Sequence, residues 1–183
     1  MELIDVVDEN NNLTGRVEER KIVDEKCLWH RVATTWIMNN KGEILLQKRA
    51  STKLRNPNIW GKTGGHVDSG ETVEQALIRE IKEELGIEIY KDQLEEIDIY
   101  KSDDPKNKYF GYNFFVIVDY KLEDFTLQKE EVDDIKYVTI EEMERYKKEN
   151  NPNYTFYTWS ERSFNEQMEM LKNKRNKINI GII

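Results

Sequence analysis

The most constraining stretch of this chain lies between Glu71 and Leu85, where apolar residues fall at Val73, Ala76, Leu77, Ile81 and Leu85. Offsets of three and four place them on one face of a helix. Gly86 follows directly and suits a left-handed C-cap. The same helix carries Glu80, Glu83 and Glu84, spaced i, i+3, i+4, so their side chains converge. Like charges at that spacing mildly destabilise a helix. A hard divalent cation reverses the sign, because Mg²⁺ prefers carboxylate oxygens and often bridges to substrate phosphates. In a chain with 24 Glu, the plain alternative is a solvated acidic face.

The rest of the sequence reads as mixed α and β. Leu3 to Val7 is a short strand running into a polar turn through Asn10, Asn11, Asn12 and Gly15. Arg31–Met38 and Glu43–Lys48 flank a turn at residues 39–42 and form a hairpin. Residues 54–60 contain Asn56-Pro57-Asn58 and read as a loop, and Gly-rich Lys62–Val67 as extended. Gln93–Tyr100, Tyr109–Tyr120 and Ile135–Thr139 read as strands, and Ile140–Lys148 and Ser160–Lys172 as helices. Hairpins rather than regular βαβ units point to an α+β domain, an α/β/α sandwich with a mixed central sheet flanked by helices. One domain is expected over residues 1–183, with an N-terminal strand or hairpin extension at about 1–30 and a C-terminal helix at about 160–175.

Charge and cysteine content narrow the classes of function. The net charge of −8 argues against a nucleic-acid polymer as partner, since such binders carry a basic footprint. No apolar run approaches the roughly 18 residues needed to span a bilayer. The polar, acidic N-terminus is unlike a signal peptide, and the lone Cys27 fits a reducing compartment, so a cytoplasmic location is expected.

The acidic helix does not stand alone. Gly65, Glu71, Arg79, Glu80, Ile81, Glu83, Glu84, Gly86 and Ile87 stand at fixed intervals over 23 residues. They match every defined position of the Nudix box, G-x5-E-x7-R-E-U-x-E-E-x-G-U, where U is aliphatic. At this composition, a chance match is on the order of 10⁻⁸ to 10⁻⁷ per starting position. The chain therefore resembles the Nudix hydrolases. That resemblance implies a loop–helix–loop holding Mg²⁺ or Mn²⁺ and an enzyme that cleaves a diphosphate linked to another moiety, by water attacking phosphorus. It implies metal ligands at Glu80, Glu83 and Glu84 and at the carbonyl of Gly64. One of the carboxylates would activate the water. Arg79 resembles the family's orienting arginine, and Glu71 would brace the loop. Glu131, on a loop before the strand at 135–139, is a candidate extra ligand or general base. The implied partner is a small-molecule diphosphate, and a homodimer stays open.

Four flanking stretches, Trp29-His30-Arg31-Val32, Leu45–Arg49, Asn58-Ile59-Trp60 and Gly65-His66-Val67, resemble the isopentenyl-diphosphate-isomerase-like branch of the superfamily. True isomerases of that branch carry a catalytic cysteine where this chain has Gly64 and a metal-binding histidine where it has Val23. The resemblance therefore implies a hydrolase member, with an isomerase and a non-catalytic nucleotide-binding module as alternatives. His30 and His66 match metal-ligand positions of the isomerases; the competing expectation is that they pack and hydrogen-bond locally. Tyr109, Phe110, Tyr112 and Phe114 could form a stacking wall or, by strand alternation, core. The aromatic segment Tyr154–Trp159 suits packing on the sheet, a pocket wall or a subunit contact equally.

Overall fold

The computed structural model describes residues 2–181. In order, the elements are β1 (Leu3–Val7), β2 (Leu13–Glu19), α1 (Arg20–Lys26), β3 (His30–Asn39), β4 (Ile44–Arg49), β5 (Trp60–Gly61), β6 (Thr63–His66), α2 (Val73–Leu85), β7 (Glu95–Asp104), β8 (Asn107–Val118), β9 (Val132–Val138), α3 (Ile140–Lys148) and α4 (Glu161–Asn179). A seven-stranded sheet has the order β5-β4-β3-β8-β7, with β6 on β3 and β9 on β4, and β1 and β2 form a separate pair. The sheet is mixed and flanked by helices, the α+β architecture expected. Two compact units are distinguishable, Met1–Thr35 with Thr63–Lys82 and Glu88–Val116, and Trp36–Lys62 with Glu83–Ile87 and Ile117–Ile183.

In the first unit, β1 and β2 are antiparallel, with Leu3 opposite Glu19 and Val7 opposite Leu13. Gly15 does not belong to the preceding turn, as the sequence suggested. It sits inside β2 at φ +77°, and the turn closes earlier, on the Asp8 carboxylate, which accepts from the backbone N–H groups of Asn10 and Asn12. Helix α1 was not anticipated, because it buries a single residue, Val23, and shows no periodic stripe. It ends at Cys27, which adopts the left-handed conformation at φ 50°. β6 pairs antiparallel with β3, Thr34 opposite Gly64 and Val32 opposite His66. β7 and β8 form a long hairpin, and β7 runs on to Asp104, beyond the Tyr100 expected. Phe110, Tyr112 and Phe114 are buried, in a stretch of β8 where residues 110–116 are buried on both faces, so they are core without alternation; Tyr109 is half-buried.

α2 begins at Val73 rather than Glu71. Thr72 caps it, since its hydroxyl accepts from the Gln75 N–H at 3.3 Å while the Gln75 side chain accepts from the Thr72 N–H at 2.8 Å. Ala76, Leu77 and Ile81, and then Leu85, are completely buried. Each of the larger three contributes about 1.5–3 kcal/mol by leaving water.

In the second unit, β4 pairs antiparallel with the end of β3, with β5 and with β9. α3 matches the expected range and is capped reciprocally by Thr139 and Glu142. α4 extends past Lys172 to Asn179. Arg175, on that added length, forms paired hydrogen bonds to Glu141 at 2.9 and 2.8 Å, which holds the helix beyond its last apolar anchor, Leu171. The aromatic segment packs on the sheet: Trp60 N–H donates to the Asn153 carbonyl at 2.7 Å, and Tyr154 and Phe156 are buried. The buried Lys147 ammonium donates to the carbonyls of Tyr157 and Trp159 at 3.1 and 2.6 Å. Trp159 meets Trp36 edge-on, centroids 6.1 Å apart, and Lys62 Nζ lies 5.2 and 5.5 Å from the Trp36 and Trp159 ring centres.

Candidate active site

The centre of the first unit's polar network is Arg79. Its Nε and Nη2 donate to the two Glu71 oxygens, each at 3.0 Å, a bidentate fork. Its Nη1 donates to Glu80 Oε1 at 2.9 Å, and Nη2 also reaches the His66 carbonyl at 3.2 Å and Asp68 Oδ2 at 3.7 Å. One guanidinium therefore ties the loop before α2 to the helix itself. The Glu71 hydrogen bonds, with burial opposing, raise the Arg79 pKa above its already high ordinary value. The same bonds hold Glu71 below the usual carboxylate range. Glu71 also accepts from the Asp68 N–H at 3.3 Å, a further tie to the loop before α2.

The two glycines of the loop are there for space. A Cβ on Gly65 would overlap the Glu80 carboxylate. A Cβ on Gly64, at φ +148°, would overlap the Ala33 carbonyl oxygen and crowd Thr34 Cα at 2.6 Å. The first contact is with the end of a side chain; the second is with backbone across the β3–β6 pair and cannot yield cheaply.

In the second unit, Glu83 is exposed and Glu84 is buried, at 4% exposure. Gln47, itself buried, donates from Nε2 to Glu84 Oε2 at 2.8 Å. The Glu84 carbonyl accepts from Gln128 N–H at 3.1 Å, and Glu131 N–H closes the following turn onto the Gln128 carbonyl at 2.9 Å. The turn carrying Glu131 thus hangs from the end of α2. The Glu131 carboxylate forms an ion pair with Lys53 at 2.6 Å. Gly86, at φ +71°, ends the helix with Thr126 against it.

Sequence reasoning missed Gln47, Asp68 and Lys53 as partners. Gln47 left a trace, a polar residue closing an apolar run in β4, yet nothing in the sequence aims it at Glu84. The histidines pack on each other, ring centroids 5.0 Å apart and 15° from parallel. His30 Nδ1 lies 2.9 Å from the Leu28 carbonyl, which can only accept, so Nδ1 carries the hydrogen.

The donor set suits a hard divalent cation: carboxylates on successive turns of one helix, beside a glycine loop that admits backbone at Glu80. Among the described residues, no three His, Cys, Asp or Glu side chains close into a preformed cage. Glu80 is engaged by Arg79, and Glu84 by Gln47.

The NUDIX domain model matches residues 28–160, most of the chain. The chain belongs to the Nudix family. An uncharacterised Nudix hydrolase of Listeria monocytogenes is 39% identical over 145 residues, covering 79% of this chain and 83% of its own. A crystal structure of a Deinococcus radiodurans protein shares the fold at TM-score 0.65 and 24% identity, over 78% of this chain and 86% of that one. An isopentenyl-diphosphate delta-isomerase of Photorhabdus laumondii is 35% identical over 88 residues, about half of each chain at 48% and 49%. This Nudix protein is thus a hydrolase of the pyrophosphohydrolase class with partial isomerase likeness. No helix among its described residues is long and apolar enough to cross a membrane.

Proposed function

We propose that this Nudix hydrolase uses Mg²⁺, with Mn²⁺ as a substitute, to cleave the diphosphate linkage of a nucleoside diphosphate derivative or a related X-linked diphosphate. The observation that carries the proposal is the Arg79 fork, which ties Glu71 and Glu80 to each other and to the His66 carbonyl just after Gly64 and Gly65. Glu80, Glu83, Glu84 and the Gly64 carbonyl would hold the metal. Bound there, it would neutralise the diphosphate and lower the pKa of a bound water. Arg79 keeps its charge at any working pH and orients Glu80. Glu83, exposed on the helix, is the first candidate base for the attacking water, and Glu131, paired with Lys53, is the second. The substrate is a small molecule. Residues 1–183 serve as one domain in this proposal, because β3, α2 and β8 each run through both compact units; Met1, Ile182 and Ile183 lie outside the described residues.

The isomerase alternative needs an acid–base group at position 64. Gly64 supplies none, and the β3 backbone leaves no room for a side chain there.

A phosphate-release screen with Mg²⁺ tests the proposal. It would span nucleoside di- and triphosphates, nucleotide sugars, dinucleotide polyphosphates and isoprenoid diphosphates. Turnover of at least one class by the wild type, lost in Glu83→Gln, is expected. Wild-type turnover by both Glu83→Gln and Glu84→Gln would sink the site assignment. Tight diphosphate binding with no turnover would favour a binding module, and interconversion of the two five-carbon diphosphates an isomerase.

A further inference from the structure

The family match begins at residue 28, so β1, β2 and α1 precede it. That leading segment is nevertheless bonded to the loop that opens α2. Ile4 bridges Asp68 in antiparallel fashion, and the Ser69 N–H donates to the Leu3 carbonyl at 2.7 Å. Next along β1, the Asp5 carboxylate accepts one hydrogen bond at each oxygen. Ser69 Oγ donates to Oδ1 at 2.7 Å, and the Gly70 N–H donates to Oδ2 at 3.1 Å. Gly70 has φ +83°, a conformation in which a loop needs outside support to be held singly.

The contacts continue into the site. Asp68 N–H donates to Glu71, Glu71 N–H donates back to the Asp68 carbonyl at 3.0 Å, and Glu71 and Asp68 both meet Arg79. Arg79 then holds Glu80. Position 5 is thus joined to the helix carboxylate through its bonds to Ser69 and Gly70, the backbone of residues 68–71 and the Arg79 contacts, all within one compact unit. The buried Ile4 and Val6 on the other face of β1 make the strand a firm support. A second residue of the same segment acts at longer range. Arg20, fixed by two hydrogen bonds to Glu2 at 2.9 Å, has Glu80 among the charges that favour its ionised form.

We infer that Asp5 is a positioning residue for hydrolysis: β1 serves as an outer brace of the catalytic loop, and the segment before the family domain is part of the catalytic apparatus. This inference rests on the proposed role of the α2 loop. A misplacement of about 1 Å far from the chemistry can cost on the order of 100-fold in rate.

The test is a double-mutant cycle of Asp5→Ala and Ser69→Ala in the full-length chain, with Asp5→Asn as the conservative variant. Steady-state kinetics on whichever substrate turns over would be combined with amide hydrogen exchange. Asp5→Ala should lower kcat about 10- to 100-fold with KM changed less than about 3-fold. Asp5→Asn, which keeps an acceptor, should recover part of the loss. The double variant should be little worse than Asp5→Ala, because both changes remove the same bond. Exchange should rise in residues 66–72 and stay unchanged in α4. Wild-type kcat in Asp5→Ala, or fully additive losses, would overturn the inference. Should Asp5→Ala not fold, Ser69→Ala alone decides it: unchanged kcat and unchanged loop exchange would overturn it. Glu83→Gln measured alongside separates the two failures, since its inactivity with an active Asp5→Ala leaves the hydrolase site standing.

Discussion

Two glutamates one turn apart on α2 are held in opposite ways. At Glu80 the carboxylate is tied to a cation, and that cation is tied to Glu71 and Asp68, so charge is matched locally. At Glu84 the carboxylate is buried with a neutral amide, Gln47, as its named partner. Between them Glu83 is exposed. An ion pair fixes a carboxylate and neutralises part of its charge. An amide fixes it by a hydrogen bond and supplies no opposite charge of its own. The same residue type at i, i+3, i+4 is therefore split into a position held by a cation, an exposed position and a buried position beside an amide.

The largest test of that contrast is at Glu84. Glu84→Gln should lower kcat by about 1,000-fold, a transition-state loss near 4 kcal/mol, with little loss of thermal stability because glutamine keeps the size and an oxygen to accept from Gln47. A Glu84→Gln protein with wild-type kcat would erase the distinction. Next is Arg79→Lys. A lysine keeps the charge but cannot fork onto Glu71 while reaching Glu80. A drop of about 100-fold in kcat and about 2–3 kcal/mol in unfolding free energy by urea titration is expected. Full rescue by lysine would mean that charge alone matters there.

Gln47→Leu should act more weakly. It leaves Glu84 buried without its amide donor, so Mg²⁺ affinity and kcat should each change by about 10-fold, and stability by about 1–2 kcal/mol. An unchanged metal titration would remove Gln47 from the site. The smallest effect is in pH dependence. Glu71 is held below its ordinary value of 4.5 by Arg79, so its contribution is present above about pH 4.5 and is lost as pH falls through the lowered value. The difference in melting temperature between wild type and Glu71→Gln should be constant near neutrality, and shrink only as pH falls below the ordinary value of 4.5. A difference that persists at pH 2 would show that the fork acts by shape and not by charge.

How much of this was legible beforehand follows from the range of each interaction. α2 is readable because its apolar stripe and its stop at Gly86 are local, while its start, two residues past the Glu71 expected, is set by the Thr72 cap. α3 was readable for the same reason. The Arg79–Glu71 fork spans eight residues and was foreseen only through the motif. Gln47 and Glu84 are 37 residues apart, and Asp5 and Ser69 are 64 apart. No periodicity or spacing encodes such pairs; the sheet register does. α1 was missed because one buried residue makes no pattern, and Gly15 was misplaced because a glycine at positive φ reads as a turn even inside a strand.

The docking of the aromatic segment gives the molecule an optical property. Trp36 and Trp159 lie 6.1 Å apart at 71°, with the Lys62 ammonium near both rings. Two indoles at that distance and angle couple their transitions, and a nearby positive charge shifts indole emission. Near-ultraviolet dichroism and fluorescence would therefore report whether residues 154–159 are seated on the sheet, with no label added to the protein.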